Sequence, residues 1–168
     1  MATQLGLYNG ALRLIKERAL VDLTETGPAK LALDAAYADA LAYCLELAQW
    51  TFAVRSLPFS GVATPGLGYP RSVTLPVDFV RPVAISGSSS FYPPLETYTI
   101  ANGTLYTDQS IVHMSYVSNN AAYGNDLTKW PMTYAKLVEA HLAVEIAPHI
   151  TSSVDIIKYA RTVFQERL

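Results

Sequence analysis

Three histidines, one cysteine and a run of serines are the residues of this 168-residue chain best suited to chemistry. His141 and Glu145 stand four apart in a stretch with helical spacing, so they share one face, as metal ligands or an acid/base pair would. Two such groups without a third are too few for either task. The His-Glu-x-x-His zinc pattern is absent, and a helical i, i+4 hydrogen bond at an interface is the preferred reading. His113 falls within a strand-like segment and reads as a satisfied histidine, whereas His149 follows Pro148 in a helix connection and reads as part of the helix stop.

The other candidates are equally thin. Ser86-Gly87-Ser88-Ser89-Ser90 lacks the Gly-x-Ser-x-Gly elbow that presents a nucleophile on a strained turn, and reads as a strand connection. Gly66-Leu67-Gly68 does not continue into a phosphate-binding pattern. Cys44 lies in an apolar helical stripe, where a buried thiol without a basic neighbour stays protonated. As the single cysteine it also excludes an internal disulfide and a Cys-based zinc site. The residues therefore supply no catalytic, cofactor or metal set, and the chain is read as a non-enzyme. Two alternatives stand beside that reading. A small hydrolase using His113, His141 or Ser88 would need a pocket that brings two of them within hydrogen-bond reach, and a monomeric binding module would read its ligand with its strands.

The elements that must position these residues are written in the composition. The chain is 51% hydrophobic and 11% aromatic but only 15% charged, against about 25% charged for an average soluble domain. That excludes disorder and implies more apolar surface than a lone monomer would expose. Twelve Lys+Arg against fourteen Asp+Glu leave a charge of −2 and no electrostatic drive toward a phosphate backbone. The long uncharged runs are broken by Gly, Pro, Ser and Asn, so no membrane span is expected. The N-terminus lacks a basic region followed by an apolar core, and synthesis in the cytoplasm is expected.

The sequence divides into residues 1–56, 57–128 and 129–168. The middle part holds six charged side chains, Arg71, Asp78, Arg81, Glu96, Asp108 and Asp126, and most of the prolines. In the first part Leu5, Tyr8, Leu12, Ile15 and Ala19 mark a short helix. A second helix is predicted from Thr26-Gly27-Pro28 to about Arg55, stopping before Pro58, on the stripe Ala36, Tyr37, Ala40, Leu41, Cys44, Leu45, Ala48 and Phe52. The middle part reads as strands at Ser72–Leu75, Phe79–Ser86, Leu95–Ile100, Thr104–Thr107 and Ser110–Ser118, with a hairpin turn at Asn102-Gly103. Trp130-Pro131 opens a third helix that breaks at Pro148, and Thr151, Ser152 or Ser153 caps a last one. The expected class is α+β. Helices from both chain ends form a four-helix bundle-like layer, and a small sandwich-like β domain is inserted between the second and third helices.

Two segments are candidate interfaces. Phe91-Tyr92-Pro93-Pro94 falls at a loop tip without an obvious local core, and packing or a subunit contact both fit it. In the last helix Val154, Ile157, Phe164 and Leu168 form a narrow stripe, and Lys158, Arg161 and Arg167 place positive charge toward its C-terminal half, where an acidic partner can be met. Residues 152–168 are accordingly expected to be an assembly helix rather than the completion of the chain's own bundle.

Taken in order, several segments resemble the head-to-tail adaptor family of short-tailed bacteriophages, also called tail tubular protein A. They are Leu7-Tyr8-Asn9-Gly10-Ala11-Leu12-Arg13-Leu14-Ile15, Ala40-Leu41-Ala42-Tyr43-Cys44-Leu45-Glu46, Trp50-Thr51-Phe52-Ala53-Val54-Arg55, Leu75-Pro76-Val77-Asp78-Phe79-Val80-Arg81, the Asn102-Gly103 hairpin through Asp108, Ser115-Tyr116-Val117, and the Ala140–Ile150 helix. The resemblance implies a helical bundle with an inserted β domain, assembled as a homo-oligomeric ring, usually a dodecamer, beneath the portal protein. Such a ring belongs to the virion at the head–tail junction, extends the DNA channel and presents a platform to the tail nozzle or tail tube protein. It also implies no catalytic residues, no cofactor, no membrane contact, and double-stranded genomic DNA that passes through the lumen without specific binding.

Overall fold

A computed structural model describes residues 1–168. The chain is mixed α+β, with four α-helices and two three-stranded antiparallel sheets. It separates into a helical unit of Met1–Ala48 with Asn125–Leu168, and a β unit of Gln49–Gly124. No helix is long and apolar enough to cross a membrane.

In the helical unit α1 is Gln4–Leu14, α2 is Pro28–Leu47, α3 is Met132–Ile150 and α4 is Val154–Arg167. The Thr3 hydroxyl caps α1 by accepting from the Gly6 amide at 3.1 Å. At its other end Lys16 adopts a left-handed φ of 61°. The amides of Lys16 and Glu17 then donate to the carbonyls of Arg13 and Leu12, which closes the helix with a Schellman pattern. Pro28 opens α2 where its missing N–H costs nothing. Helix α3 packs against α1, α2 and α4 and is buried along most of its length. Fully buried Tyr8, Leu12, Leu33, Cys44, Tyr134 and Leu142 lie in this core.

A buried carboxylate of α3 is seated against α1. Glu139 accepts from Lys136 Nζ at 2.7 and 3.0 Å, with Arg13 at 3.9 Å. It fits because α1 carries glycine at position 10, where a Cβ would fall 2.5 Å from Glu139 Cγ. Beside it the Asn9 side chain accepts from the Leu20 amide at 2.8 Å and donates to the Leu20 carbonyl at 3.0 Å, fastening the loop between α1 and α2.

The β unit contains β1 (Val54–Ser60), β2 (Arg71–Thr74), β3 (Phe79–Ser86), β4 (Tyr98–Ala101), β5 (Thr104–Thr107) and β6 (Ile111–Ser118), ordered β1-β6-β3 and β2-β5-β4. Val112, Met114 and Tyr116 from one face of β6 join Ile85, Val73 and Leu105 in a core shared by both sheets. The β4–β5 hairpin turns on Asn102 and Gly103 with φ of 49° and 71°, the both-positive geometry that Asn-Gly supports.

The second helix is shorter than the sequence stripe predicts. It ends at Leu47, Ala48 is already extended, Thr51–Ala53 is a 3-10 turn, and Val54–Ser60 pairs with β6 over seven residues. Long-range pairing of the Val54–Ser60 segment thus overrides local helical spacing, and Pro58 is accommodated in an edge strand rather than ending a helix. The unit boundaries consequently fall at 48/49 and 124/125 instead of 56/57 and 128/129. The strand expected from Leu95 begins at Tyr98. Helix α3 runs past Pro148 to Ile150 before Thr151 N–H closes on the Ala147 carbonyl at 2.9 Å.

Asp78 holds the β unit's polar centre. It is buried and accepts from Arg55 Nη1 at 2.9 Å, Ser118 Oγ at 2.5 Å and the Tyr116 hydroxyl at 3.2 Å. Burial pushes its carboxyl up, but the bonds from Ser118, Arg55 and Tyr116 outweigh that and hold it below the usual carboxylate range. Two predictions follow from the two carboxylates. Asp78→Ala leaves buried donors without a partner and should destabilise the β unit by about 3 kcal/mol, read in urea unfolding through Trp50 fluorescence in a Trp130→Phe background. Gly10→Ala, which in an ordinary helix would stabilise, should instead cost about 1–2 kcal/mol because Glu139 must leave its site, and Glu139→Ala in the same chain should suppress most of that difference.

Candidate functional site

The histidines and serines are placed apart in their chemistry. His141 is buried in α3, its ring stacked on Tyr43 at 4.4 Å and inclined to Phe164 at 4.9 Å. The expected hydrogen bond to Glu145 is absent. Nε2 lies 3.9 Å from Glu145 Oε1, and Nδ1 is buried without a partner. Ring stacking carries Nε2 beyond hydrogen-bond range of the next helical turn. Burial pushes the imidazole below its ordinary value, with Glu145 pulling weakly the other way.

In the β unit, His113 sits in β6 opposite Pro58 and Ser86. The Ser88 hydroxyl pairs with Ser90 at 2.9 Å, and Ser86 Oγ donates to the Pro93 carbonyl at 2.7 Å while accepting from the Ser88 amide at 3.1 Å. The serine run is therefore a hydrogen-bonded Ω-like closure under Phe91 and Tyr92. Cys44 is buried, and burial alone pushes its thiol up to about 12. No three His, Cys, Asp or Glu side chains gather as a metal-ligand group.

Surfaces, rather than reacting groups, are what the two units present. The β unit is neutral: Arg55, Arg71 and Arg81 balance Asp78, Glu96 and Asp108. At the end where β1 and β3 finish and β6 starts, Val62, Ile111 and Tyr92 face solvent, Tyr92 with 78% of its surface exposed. Hairpin Val62–Ser72 leaves this end and folds over Tyr106, with Leu67 exposed at its turn. Leu67 and Phe91 hold φ of 51° and 56°. Bulky residues in left-handed geometry are uncommon because each costs about 1 kcal/mol or more.

The last helix corrects part of the sequence reading. Ala160, Val163 and Phe164 are its buried residues, and they pack on α3. Phe164, only 6% exposed, is thus core rather than interface, and Arg167 Nη1 donates to the Lys136 carbonyl at 2.7 Å within the same unit. Val154 and Leu168 of the expected stripe are exposed, as are Lys158 and Arg161. Helix α4 completes its own unit, so removing residues 152–168 would strip a packed face from α3.

Sequence reasoning missed Asp78, Arg55, Glu139 and Asn9 as the organising polar residues. A lone carboxylate in a nearly uncharged stretch was the available signal for Asp78, and Glu139 amid Val138 and Ala140 was that for the helical unit. Sequence reasoning also missed the groove above His141. It is about 720 Å³ and bounded by Asp39, Tyr43, Glu145 and Arg161.

The buried histidine gives a pH test. Its depressed basicity means the unfolded chain binds the proton more readily, so stability is complete above about pH 6.5 and declines as pH falls below it. Thermal melts followed by far-ultraviolet circular dichroism should show that slope in the wild type and lose it in His141→Leu. An unchanged slope in the variant would assign the effect elsewhere.

The sequence matches no family model and no curated protein.

Proposed function

We propose that the chain is a structural virion protein of a short-tailed bacteriophage, a head-to-tail adaptor whose ring joins the portal protein to the tail nozzle or tail tube protein and extends the DNA channel. The observation that carries this reading is the neutral β unit that presents Val62, Leu67, Tyr92 and Ile111 to solvent. A neutral surface with exposed large apolar groups promotes association, and assembly covers it.

The residues that produced the family resemblance support the same reading by what they do. Asn9 and Gly10 fasten α1, Asp78 and Arg55 centre the β unit, and Asn102-Gly103 closes a hairpin. These are architectural tasks. A dodecamer at the head–tail junction would surround double-stranded DNA with copies that each carry −2. Such a wall lets the genome pass without the counterion-release binding that would slow it.

Native mass spectrometry of the purified chain, alone and mixed with portal rings of the same phage, tests the proposal. A closed ring added to the portal is the expected result, with no salt-dependent retention of duplex DNA. A chain that stays monomeric in the presence of the portal would overturn it.

A further inference from the structure

The helical unit has two faces whose ionic side chains find few partners in their own chain. On one flank of α4, Asp155, Ile156 and Tyr159 meet Arg13, Leu14 and Lys16 at the end of α1, around a shallow cavity of about 410 Å³. On the other flank Arg161 joins Asp39 and Tyr43 of α2 and His141 and Glu145 of α3 around the 720 Å³ groove. At about 3.6 residues per turn, positions 155 and 159 lie roughly a third of a turn around α4 from 161 and 165, so these are separate surfaces.

Their charges are reciprocal. The first face offers two cations and one acid, and the groove offers two acids and one cation. Arg13 has a side chain 71% exposed and reaches Glu139 only at 3.9 Å, while Glu145 meets only His141, also at 3.9 Å. Lys16, Asp155, Asp39 and Arg161 make no ion pair within the chain. Each face also holds one exposed tyrosine, Tyr159 on the first and Tyr43 in the groove. Alanines at 32, 35 and 36 line the extension of the groove along α2, where a neighbouring helix can approach closely.

We infer that the groove receives the α1/α4 face of a second copy of this chain, with Arg13 and Lys16 meeting Asp39 and Glu145, Asp155 meeting Arg161, and Tyr159 covering Tyr43. Because each copy uses two different faces, the contact is head-to-tail, the type that builds a ring when the rotation between copies closes. The inference rests on the ring reading above and names the surfaces that build the ring.

Charge reversal tests it in the full chain. Arg13→Glu with Lys16→Glu alters one face, and Asp39→Lys with Glu145→Lys alters the other. Sedimentation velocity at low salt, with portal rings present and absent, should show self-association of the wild type and about a hundredfold weaker association of either double variant alone. An equimolar mixture should recover it, because the reversed face of one variant suits the reversed groove of the other. A second route leaves α1 and α2 untouched: Asp155→Arg alone should weaken association, and adding Arg161→Asp to the same chain should restore it. Wild-type association in every variant would overturn the inference while the ring reading stands. A wild type that remains monomeric under both conditions would overturn both.

Discussion

The carboxylate of Asp78 is the fixed point from which the β unit can be understood. A charge buried in a unit with so few others must be paired where it stands, because desolvating it unpaired would cost several kcal/mol. Its three partners come from two strands, Arg55 near the start of β1 and Tyr116 and Ser118 near the end of β6, and Asn119 N–H reaches the Asp78 carbonyl at 3.0 Å. Arg55 also lies over the Tyr123 ring, 5.5 Å from its centroid. These bonds fix where β1 begins and how it is registered on β6. Once Arg55 belongs to a strand, α2 has to end several residues earlier, and the helix-to-strand passage through Ala48 and Thr51–Ala53 follows.

That dependence explains which features were legible in the sequence. Strands β3 and β5 have the predicted bounds, and the Asn102-Gly103 hairpin sits where it was expected, because turn chemistry and β-branched runs are local signals. The C-terminal end of α2 was not legible. Its apolar spacing continues through Ala48 and Phe52, and only a partner strand some sixty positions later in the chain decides the outcome, as Val54↔Val117 and Ser60↔Ile111 record. Helix α4 misled for a different reason. Its expected stripe mixes the two faces: Phe164 lies against α3 with Ala160 and Val163, while Val154 and Leu168 point to solvent. Apolar spacing by itself did not distinguish the buried residues from the exposed ones. Pro148 misled in the same direction, since a proline within the last turn deprives α3 of one hydrogen bond without stopping it.

The polar chemistry of the chain divides along similar lines. Asp78, Glu139, Asn9 and Ser86 are each held by named partners and act as fasteners. His141, the residue most suggestive of catalysis, is enclosed by Tyr43 and Phe164 with its Nδ1 unpartnered, an arrangement that favours the neutral ring. Its neighbours Asp39, Glu145 and Arg161 remain at the surface. Legibility of the groove was therefore poor: Asp39, Tyr43, Glu145 and Arg161 come from three helices, and no spacing along the chain relates them.

The apolar end of the β unit poses a constraint that its own strands answer. Exposed Val62, Tyr92 and Ile111 beside open strand edges would invite edge-to-edge aggregation. In the sheet ordered β1-β6-β3, however, both edge strands carry proline, Pro58 in β1 and Pro82 in β3, and the β3 ladder is further broken by register shifts on either side of Pro82. Proline removes a donor from the edge and limits strand addition there. Any contact at this end would then fall to side chains and loops, which select by shape, rather than to backbone pairing, which accepts almost any extended segment. For a neutral unit that lacks charge as a discriminator, the prolines thus limit indiscriminate association.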